Sequence, residues 1–251
     1  MESINRDYPL AIICPVVNCL EYTKQFIESI KTKLKYKIII IDNASTDGTT
    51  GYLISISKKY PIRVIKSSYN MGVSAAWNLG IRTAIEEYHS NYFLIPNNDI
   101  ILYSKTIDTL INTIQKKDVV LATSFNINTG DGLPRNVDDT NTLIKEKITE
   151  EPDFSCFMIK KETIEKIGYF DERYYPAYFE DNDYHYRIKV AGLKAVKTTN
   201  SVYFHFGSMT IKNNETTRAL SNNFYLNNKE YYKNKWGGYP GQEKNKYPAN
   251  L

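Results

Sequence analysis

The chain has 251 residues, 42% of them hydrophobic, with 32 Lys and Arg against 28 Asp and Glu and a formal charge of +4. That supplies an ordinary globular core and is too mild a charge to point to nucleic acid. Three cysteines, Cys14, Cys19 and Cys156, form no CxxC pair and leave an odd count, which argues against a disulfide framework or structural zinc and fits a reducing, cytoplasmic compartment.

The apolar run Leu10 to Val17 reads as a buried strand. Apolar residues at Phe26, Ile27, Ile30 and Leu34 predict a helix over 22–34. A second buried strand, 37–41, ends in Asp42-Asn43-Ala44-Ser45-Thr46-Asp47-Gly48, a dense turn and cap signal. A helix to about Lys59 and a strand over 62–65 follow. Asn70-Met71-Gly72 opens a helix running to Tyr88, and Ala76 and Gly80 leave one of its faces small enough for close packing. Tyr92 to Ile95 is a strand ending in Asn97-Asn98-Asp99, and a helix over 104–115 and a strand over 119–123 complete the alternation. Strands alternating with helices of this length predict a mainly parallel sheet flanked by helices in an α/β domain.

The regularity stops near Ser124. Residues 126–151 are polar and turn-rich, an expected surface excursion. A strand over 154–159, a helix over 161–167, a helix over 179–191 and extended pieces at 195–197 and 201–206 follow. Residues 215–236 form a tail helix rich in Tyr, Asn and Lys. The expected organisation is one compact domain over 1–211, with halves at about 9–123 and 124–211, and a helical tail over 212–251. The N-terminus lacks the apolar core of a signal peptide, and no apolar run approaches the roughly twenty residues that span a bilayer. Membrane association is expected to be peripheral at most. The Lys- and Tyr-bearing tail could lie on a membrane surface, or pack as an amphipathic helix.

Polar clusters follow three strand ends: Pro15 to Asn18, Asp42 to Asp47, and Asn97 to Asp99. Ligands of open α/β sheets bind at the carboxyl ends of strands. Asp42 can meet a nucleoside, while Asp47 fits a cap or turn equally well. A dinucleotide fingerprint is excluded, since Cys14-Pro15-Val16-Val17-Asn18-Cys19 contains no glycine. Asp99 can supply a carboxylate to a divalent cation, although Asn-Asn-Asp is also ordinary turn chemistry. Phe179-Glu180-Asp181-Asn182-Asp183 places three acids in the first turn of a helix. Asp183 is spaced to pair with Arg187, which leaves Glu180 and Asp181 as candidates for acid–base work. His89 and His185 are expected on the surface. His205 lies among aromatics and reads by itself as a core histidine.

These segments, with Asn70 through Gly80, Gly168-Tyr169-Phe170-Asp171-Glu172 and His205-Phe206-Gly207-Ser208, resemble the inverting glycosyltransferases of family two in order and spacing over roughly residues 9 to 210. The resemblance implies the GT-A fold and a nucleotide-sugar donor, UDP- or dTDP-linked, with Mn2+ or Mg2+. It implies donor binding by Pro15, Val17, Asp42, Asn43, Asn70, Gly72, Asn78, Asn97 and Asn98. Asn97-Asn98-Asp99 stands where the family carries DxD, so Asp99 would hold the metal, with His205 beside it. The variant triplet is similar to a rhamnosyltransferase-like branch. Asp181 would act as general base, with Glu180 as neighbour or alternative, in a single displacement onto a hydroxyl of a glycan or lipid-linked acceptor. A degenerate nucleotide-sugar binder or scaffold is the other reading, prompted by the missing first acid of the triplet.

Overall fold

A computed structural model describes residues 7–128, 148–207 and 215–248. Ser208 and most of the expected surface excursion lie outside these residues. In chain order the elements are β1 (Leu10–Val16), α1 (Leu20–Ser29), β2 (Tyr36–Asn43), α2 (Thr49–Ile56), β3 (Ile62–Ser67), α3 (Val73–Tyr88), β4 (Tyr92–Pro96), β5 (Ile100–Leu102) and α4 (Thr106–Ile114). Then come β6 (Val119–Asn126), β7 (Ile148–Thr149), β8 (Cys156–Lys160), α5 (Lys161–Ile167), α6 (Glu180–Val190), β9 (Lys194–His205) and α7 (Glu215–Trp236).

The strands form one mainly parallel sheet, ordered β3-β2-β1-β4-β8-β6-β9-β5, with β7 pairing β9. The run β3, β2, β1, β4 is parallel throughout. β8 runs antiparallel to both β4 and β6, and β6 and β9 are parallel to one another. The carboxyl ends of β1, β2, β4, β6 and β9 therefore share one edge of the sheet. That edge is where every polar cluster of the sequence falls.

The apolar runs are continuous because both faces of the sheet are covered. Leu10, Ile12 and Cys14 of β1 join Ile38 and Ile40 in the core under α1, α2 and α4. The alternate residues Ala11 and Ile13 join Ile39 and Ile41 in the core under α3 and α6. A third, aromatic cluster of Tyr174, Phe179, Tyr232 and Trp236 ties α7 to the segment before α6. No disulfide joins the three cysteines, and Cys14 and Cys156 are buried thiols. No helix among the described residues is long and apolar enough to cross a membrane.

Four elements differ from expectation, one of them β7, a short strand paired with β9 inside the expected surface excursion. α1 stops at Ser29 and not at Leu34, because the Thr32 hydroxyl donates to Asp108 Oδ1 at 2.6 Å and accepts from Leu34 N at 3.2 Å, which holds this stretch out of the helix. β9 is one strand with a register shift against β6, not two pieces. At the shift, Ser201 donates to Thr106 O at 2.9 Å and lies 2.6 Å from Ser124 Oγ, so the irregular backbone is held by side chains. β5, absent from the sequence reading, pairs Ile100–Leu102 with Tyr203–His205.

Helix α3 lies unusually close to β1. A Cβ on Gly80 would stand 2.2 Å from Ile13 Cγ2. Gly80→Ala is therefore expected to destabilise the protein by about 1–3 kcal/mol through overpacking, even though alanine is the better helix former by about 1 kcal/mol; urea unfolding measures the sign.

Candidate active site

The β1 and β2 loops are stitched together at the shared edge. Asn18 N donates to Ser45 Oγ at 2.8 Å, and Thr46 N donates to Asn18 Oδ1 at 2.7 Å. Asp47 Oδ2 accepts from Leu20 N at 3.1 Å, at the start of α1, while its Oδ1 accepts from Thr49 N and Oγ1 at the start of α2. Although burial by itself would raise the Asp47 carboxyl, the bonds from Thr49 and Leu20 hold it below the usual range. Asp42 is fully buried. Its Oδ1 accepts from Ser45 N at 2.9 Å, and its Oδ2 accepts from the Thr50 hydroxyl. Asp42 thus shapes the loop from beneath. Pro15 and Val17 are half-buried where β1 runs out.

Asn43 and Gly72 carry the site toward the acidic helix. Asn43 Nδ2 donates to Gly72 O, and Asn43 Oδ1 accepts from Met71 N, each at 3.5 Å. Asn70 Oδ1 accepts from Gly72 N at 2.9 Å. Gly72 has φ +83°, and a Cβ there would press on Pro176 O and Tyr175 Cδ2 at 3.1 Å. Glycine satisfies both demands. Asn78 is buried and forms a two-way bond with the Phe170 backbone at 2.9 and 3.0 Å, plus a bond to Glu172 Oε1 at 2.8 Å. Its amide is committed to holding the 170–172 turn.

In the Asn97-Asn98-Asp99 triplet each side chain has a different environment. Asn97 lines a cavity of about 730 Å3. Asn98 is buried and donates to Thr23 Oγ1 at 3.1 Å and to Asn18 O at 3.5 Å. Asp99 Oδ1 lies 3.0 Å from His205 Nε2. β5 and β9 make this pair, since Ile100 stands opposite His205 and Phe206 N donates to Asp99 O at 3.0 Å. A carboxylate beside an imidazole is a donor set that fits a divalent cation completing its shell from diphosphate oxygens and water. Among the described residues no group of three or more His, Cys, Asp or Glu side chains converges on one point. His89 is exposed and contacts Asp7, whereas His185 is half-buried.

Glu180, Asp181 and Asn182 line the same cavity as Asn97. Glu180 is 8% exposed, and its Oε2 has no hydrogen-bond partner. Burial, then repulsion from Asp181, pushes the Glu180 carboxyl up to about 8. Burial also raises Asp181, against the 2.7 Å bond its Oδ1 accepts from Asn182 N. The two aromatic residues before them, Tyr178 and Phe179, hold left-handed backbone at φ +81° and +72°, a conformation costly for bulky side chains. Asn228 of α7 secures it, donating to the carbonyls of Tyr175, Ala177 and Tyr178 at 3.2, 2.8 and 3.2 Å.

Helix α7 also grips α6 through Asp183, which is 0% exposed. Asp183 Oδ2 accepts from Arg187 Nε at 2.9 Å, the pair expected from their spacing. Asp183 Oδ1 accepts from Trp236 Nε1 at 2.9 Å and lies 2.5 Å from Lys235 Nζ. Lys235 also reaches Asp171 Oδ2 at 2.7 Å, where Arg173 makes a two-pronged contact at 3.0 Å per bond. Tyr232, Lys235 and Trp236 are thus buried in the protein and are unavailable to a membrane surface. The sequence reading missed the tail's share of the cavity. Tyr225 and Lys229 of α7, Lys197 of β9 and Asp153 all line it, yet they belong to no motif.

Lys235→Met is expected to cost about 3 kcal/mol, because it strips a buried carboxylate cluster of a cation; denaturant unfolding reads it. Burial alone would raise the Asp171 carboxyl, but the Arg173 and Lys235 contacts hold it well below its ordinary 3.8. That stability is present above pH 3.8 and is lost as pH falls further. Asp171→Asn should flatten this acid limb in pH-resolved melts.

A family model described as Glycosyl transferase family 2 matches residues 11–173. Glycosyltransferase GlyG of Streptococcus pneumoniae serotype 4 is 28% identical over 131 residues, 49% of this chain and 41% of the relative. The low-salt glycan biosynthesis hexosyltransferase Agl10 of Haloferax volcanii is 24% identical over 169 residues, 61% of this chain and 53% of the relative. The chain spans about half the length of these curated relatives, or less. The mannosyltransferase PcManGT from Pyrobaculum calidifontis, in complex with GDP-Man and Mn2+, superposes with a TM-score of 0.62 at 15% identity, covering 88% of this chain and 64% of that one. S. aureus TarS 1-349 in complex with UDP-GlcNAc gives 0.58 at 15% identity, covering 79% and 60%. These neighbours share the curled, mainly parallel sheet of the GT-A fold. With the family model matching more than half of its length, this chain belongs to glycosyl transferase family 2.

Proposed function

We propose that the protein is an inverting glycosyltransferase that moves a sugar from a nucleotide-sugar donor to a hydroxyl of a glycan or lipid-linked acceptor. The observation that carries this reading is the pair Glu180 and Asp181, two desolvated carboxylates lining one cavity with Asn97 from the end of β4. The neighbours bound to GDP-Man and UDP-GlcNAc support a nucleotide-sugar donor. The family resemblance implies a UDP- or dTDP-linked donor, and the triplet's likeness to a rhamnosyltransferase-like branch points to a hexose or deoxyhexose. The donor half spans about residues 9–123, with Pro15, Val17, Asn43, Asn70 and Gly72 framing the nucleoside end and Asp42 supporting their loop from beneath. Asn78 and Asn98 act from beneath by holding their turns.

Asp181 is the general base. It is half-buried and reachable, whereas Glu180 is more deeply enclosed and largely protonated at neutral pH. Asp181 takes the proton of the acceptor hydroxyl as that oxygen attacks the anomeric carbon. The bond from that carbon to the diphosphate breaks on the opposite face, the diphosphate leaves with the electron pair, and configuration inverts. Asp99 and His205 would hold Mn2+ or Mg2+, the imidazole tilting the pair toward manganese. When bound, such an ion neutralises charge on the leaving diphosphate. The asparagine at position 97 also motivates a second reading, a degenerate binder. Nucleotide-sugar binding without nucleoside diphosphate release, across donors and acceptors, would favour it.

Asp181→Asn is expected to lower turnover by about 10²–10⁴-fold while leaving donor affinity intact, read by nucleoside diphosphate release and thermal shift. Near-normal turnover would remove Asp181 as base. The wild-type rate should fall on acidification with a midpoint above the ordinary aspartate value of 3.8.

A separate consequence concerns stability. Between the ordinary 4.5 of Glu180 and its folded value of about 8, the native state binds the proton more tightly than the unfolded chain. Its burial therefore costs stability increasingly as pH rises through that window. Glu180→Gln is expected to raise the melting temperature by about 3 °C or more near pH 8, with the gain vanishing near pH 5; melts across pH test this.

A further inference from the structure

The mechanism above leaves two cations of the cavity unused. Lys197 of β9 and Lys229 of α7 line it beside Tyr178 and Tyr225. Both lysines are half-buried. Neither forms an ion pair with a described residue; the Lys229 ammonium stands 4.7 Å from the Tyr239 ring centroid. None of the described acids lining the cavity is within ion-pair distance of either lysine; Asp153 instead accepts from the Tyr203 hydroxyl at 2.8 Å and from Ser155 N at 3.0 Å. Glu180 is largely neutral, and Asp181 must stay free to accept a proton. Two half-buried ammonium groups without an ion-pair partner make a site that suits a ligand bringing negative charge.

Two features identify that ligand. Lys197 pairs with Thr123 and Thr149, upstream of the β9 register shift that separates it from His205. Lys197 is thus set back along β9 from His205, and the cavity that holds both lysines is not lined by the Asp99–His205 pair that would face the donor's diphosphate. Two point charges from different elements, without the planar fork of an arginine, suit the double charge of a phosphate monoester better than a single carboxylate. Tyr225 is 43% exposed and packs edge-on to Tyr178 with centroids 5.6 Å apart, offering aromatic surface for a sugar ring.

Resting on the reading of the chain as a glycosyltransferase, we propose that its acceptor is a phosphorylated sugar whose phosphate is bound by Lys197 and Lys229 and whose ring lies against Tyr225 and Tyr178. The test offers the full chain hexose 1-phosphates and the matching methyl hexosides as acceptors. Wild type should use a phosphorylated acceptor with kcat/KM at least tenfold above its neutral partner. K197Q/K229Q should erase that preference through KM, and K197R/K229R should restore it. Equal use of charged and neutral acceptors by wild type overturns the proposal, as does a double variant that keeps the preference. A double variant whose defect is in donor affinity also overturns it, since the lysines would then serve the donor's diphosphate. Should no donor be turned over with any acceptor, the glycosyltransferase reading fails. Calorimetric titration of hexose 1-phosphate into the chain still decides the lysine site. Saturable binding lost in K197Q/K229Q supports the site, and its absence overturns it.

Discussion

The buried carboxylate of Asp183 is the contact on which the proposed catalytic side of the molecule depends. It accepts from Arg187 on its own helix and from Trp236 on α7, and it is paired with Lys235. Removing a carboxylate from water costs several kcal/mol, and that cost is offset only when charged partners converge with good geometry. Here they do, so α6 has one rotational setting relative to α7. Glu180 and Asp181 lie in the same helical turn as Asp183, and their direction into the cavity is fixed by the same contact. The left-handed backbone of Tyr178 and Phe179, clasped by Asn228, sets where that turn begins.

On the other side of the cavity the constraint is topological. Parallel pairing of β2, β1 and β4 brings three polar loops to one edge, and the parallel pair β6 and β9 delivers His205 to it as well. Hydrogen bonds then join neighbouring loops into one surface: Asn98 to Asn18, Thr46 to Asn18, and Asn43 to Gly72. Several residues in the sequence clusters serve that stitching, and fewer face the open cavity. The framework is therefore rigid at the strand ends, while the two carboxylates proposed for the chemistry have their proton affinity raised by burial.

Much of this was legible in the sequence. Continuous apolar strands announced a sheet covered on both faces, and Asp42 to Gly48 announced a strand end followed by a cap. The small face at Gly80 announced the close approach to Ile13, and the spacing of Asp183 and Arg187 announced their pair. What was not legible depends on partners distant in the chain. β5 is three residues long and exists because Tyr203–His205 lies beside it. The true end of α1 is set by the bond between Thr32 and Asp108. Lys235 looks like a surface cation in an amphipathic tail, yet its acids are at 171 and 183. Tyr225, Lys229 and Lys197 carry no local signal, because only the packing of α7 and β9 brings them to one cavity.

The family match ends at residue 173, just where the grip of α7 begins. Asp171, Asp183, Asn228, Lys235 and Trp236 form one interlocked set. The segment from the 170–172 turn to the end of α7 is consequently a single unit of exchange. A chimera that grafts a foreign tail after α6 separates a buried anion from its cation, whereas one that moves residues from about 170 onward carries the lock with it. Under the proposed function, a change of acceptor would then travel with this block, while the strand-end framework stays as it is.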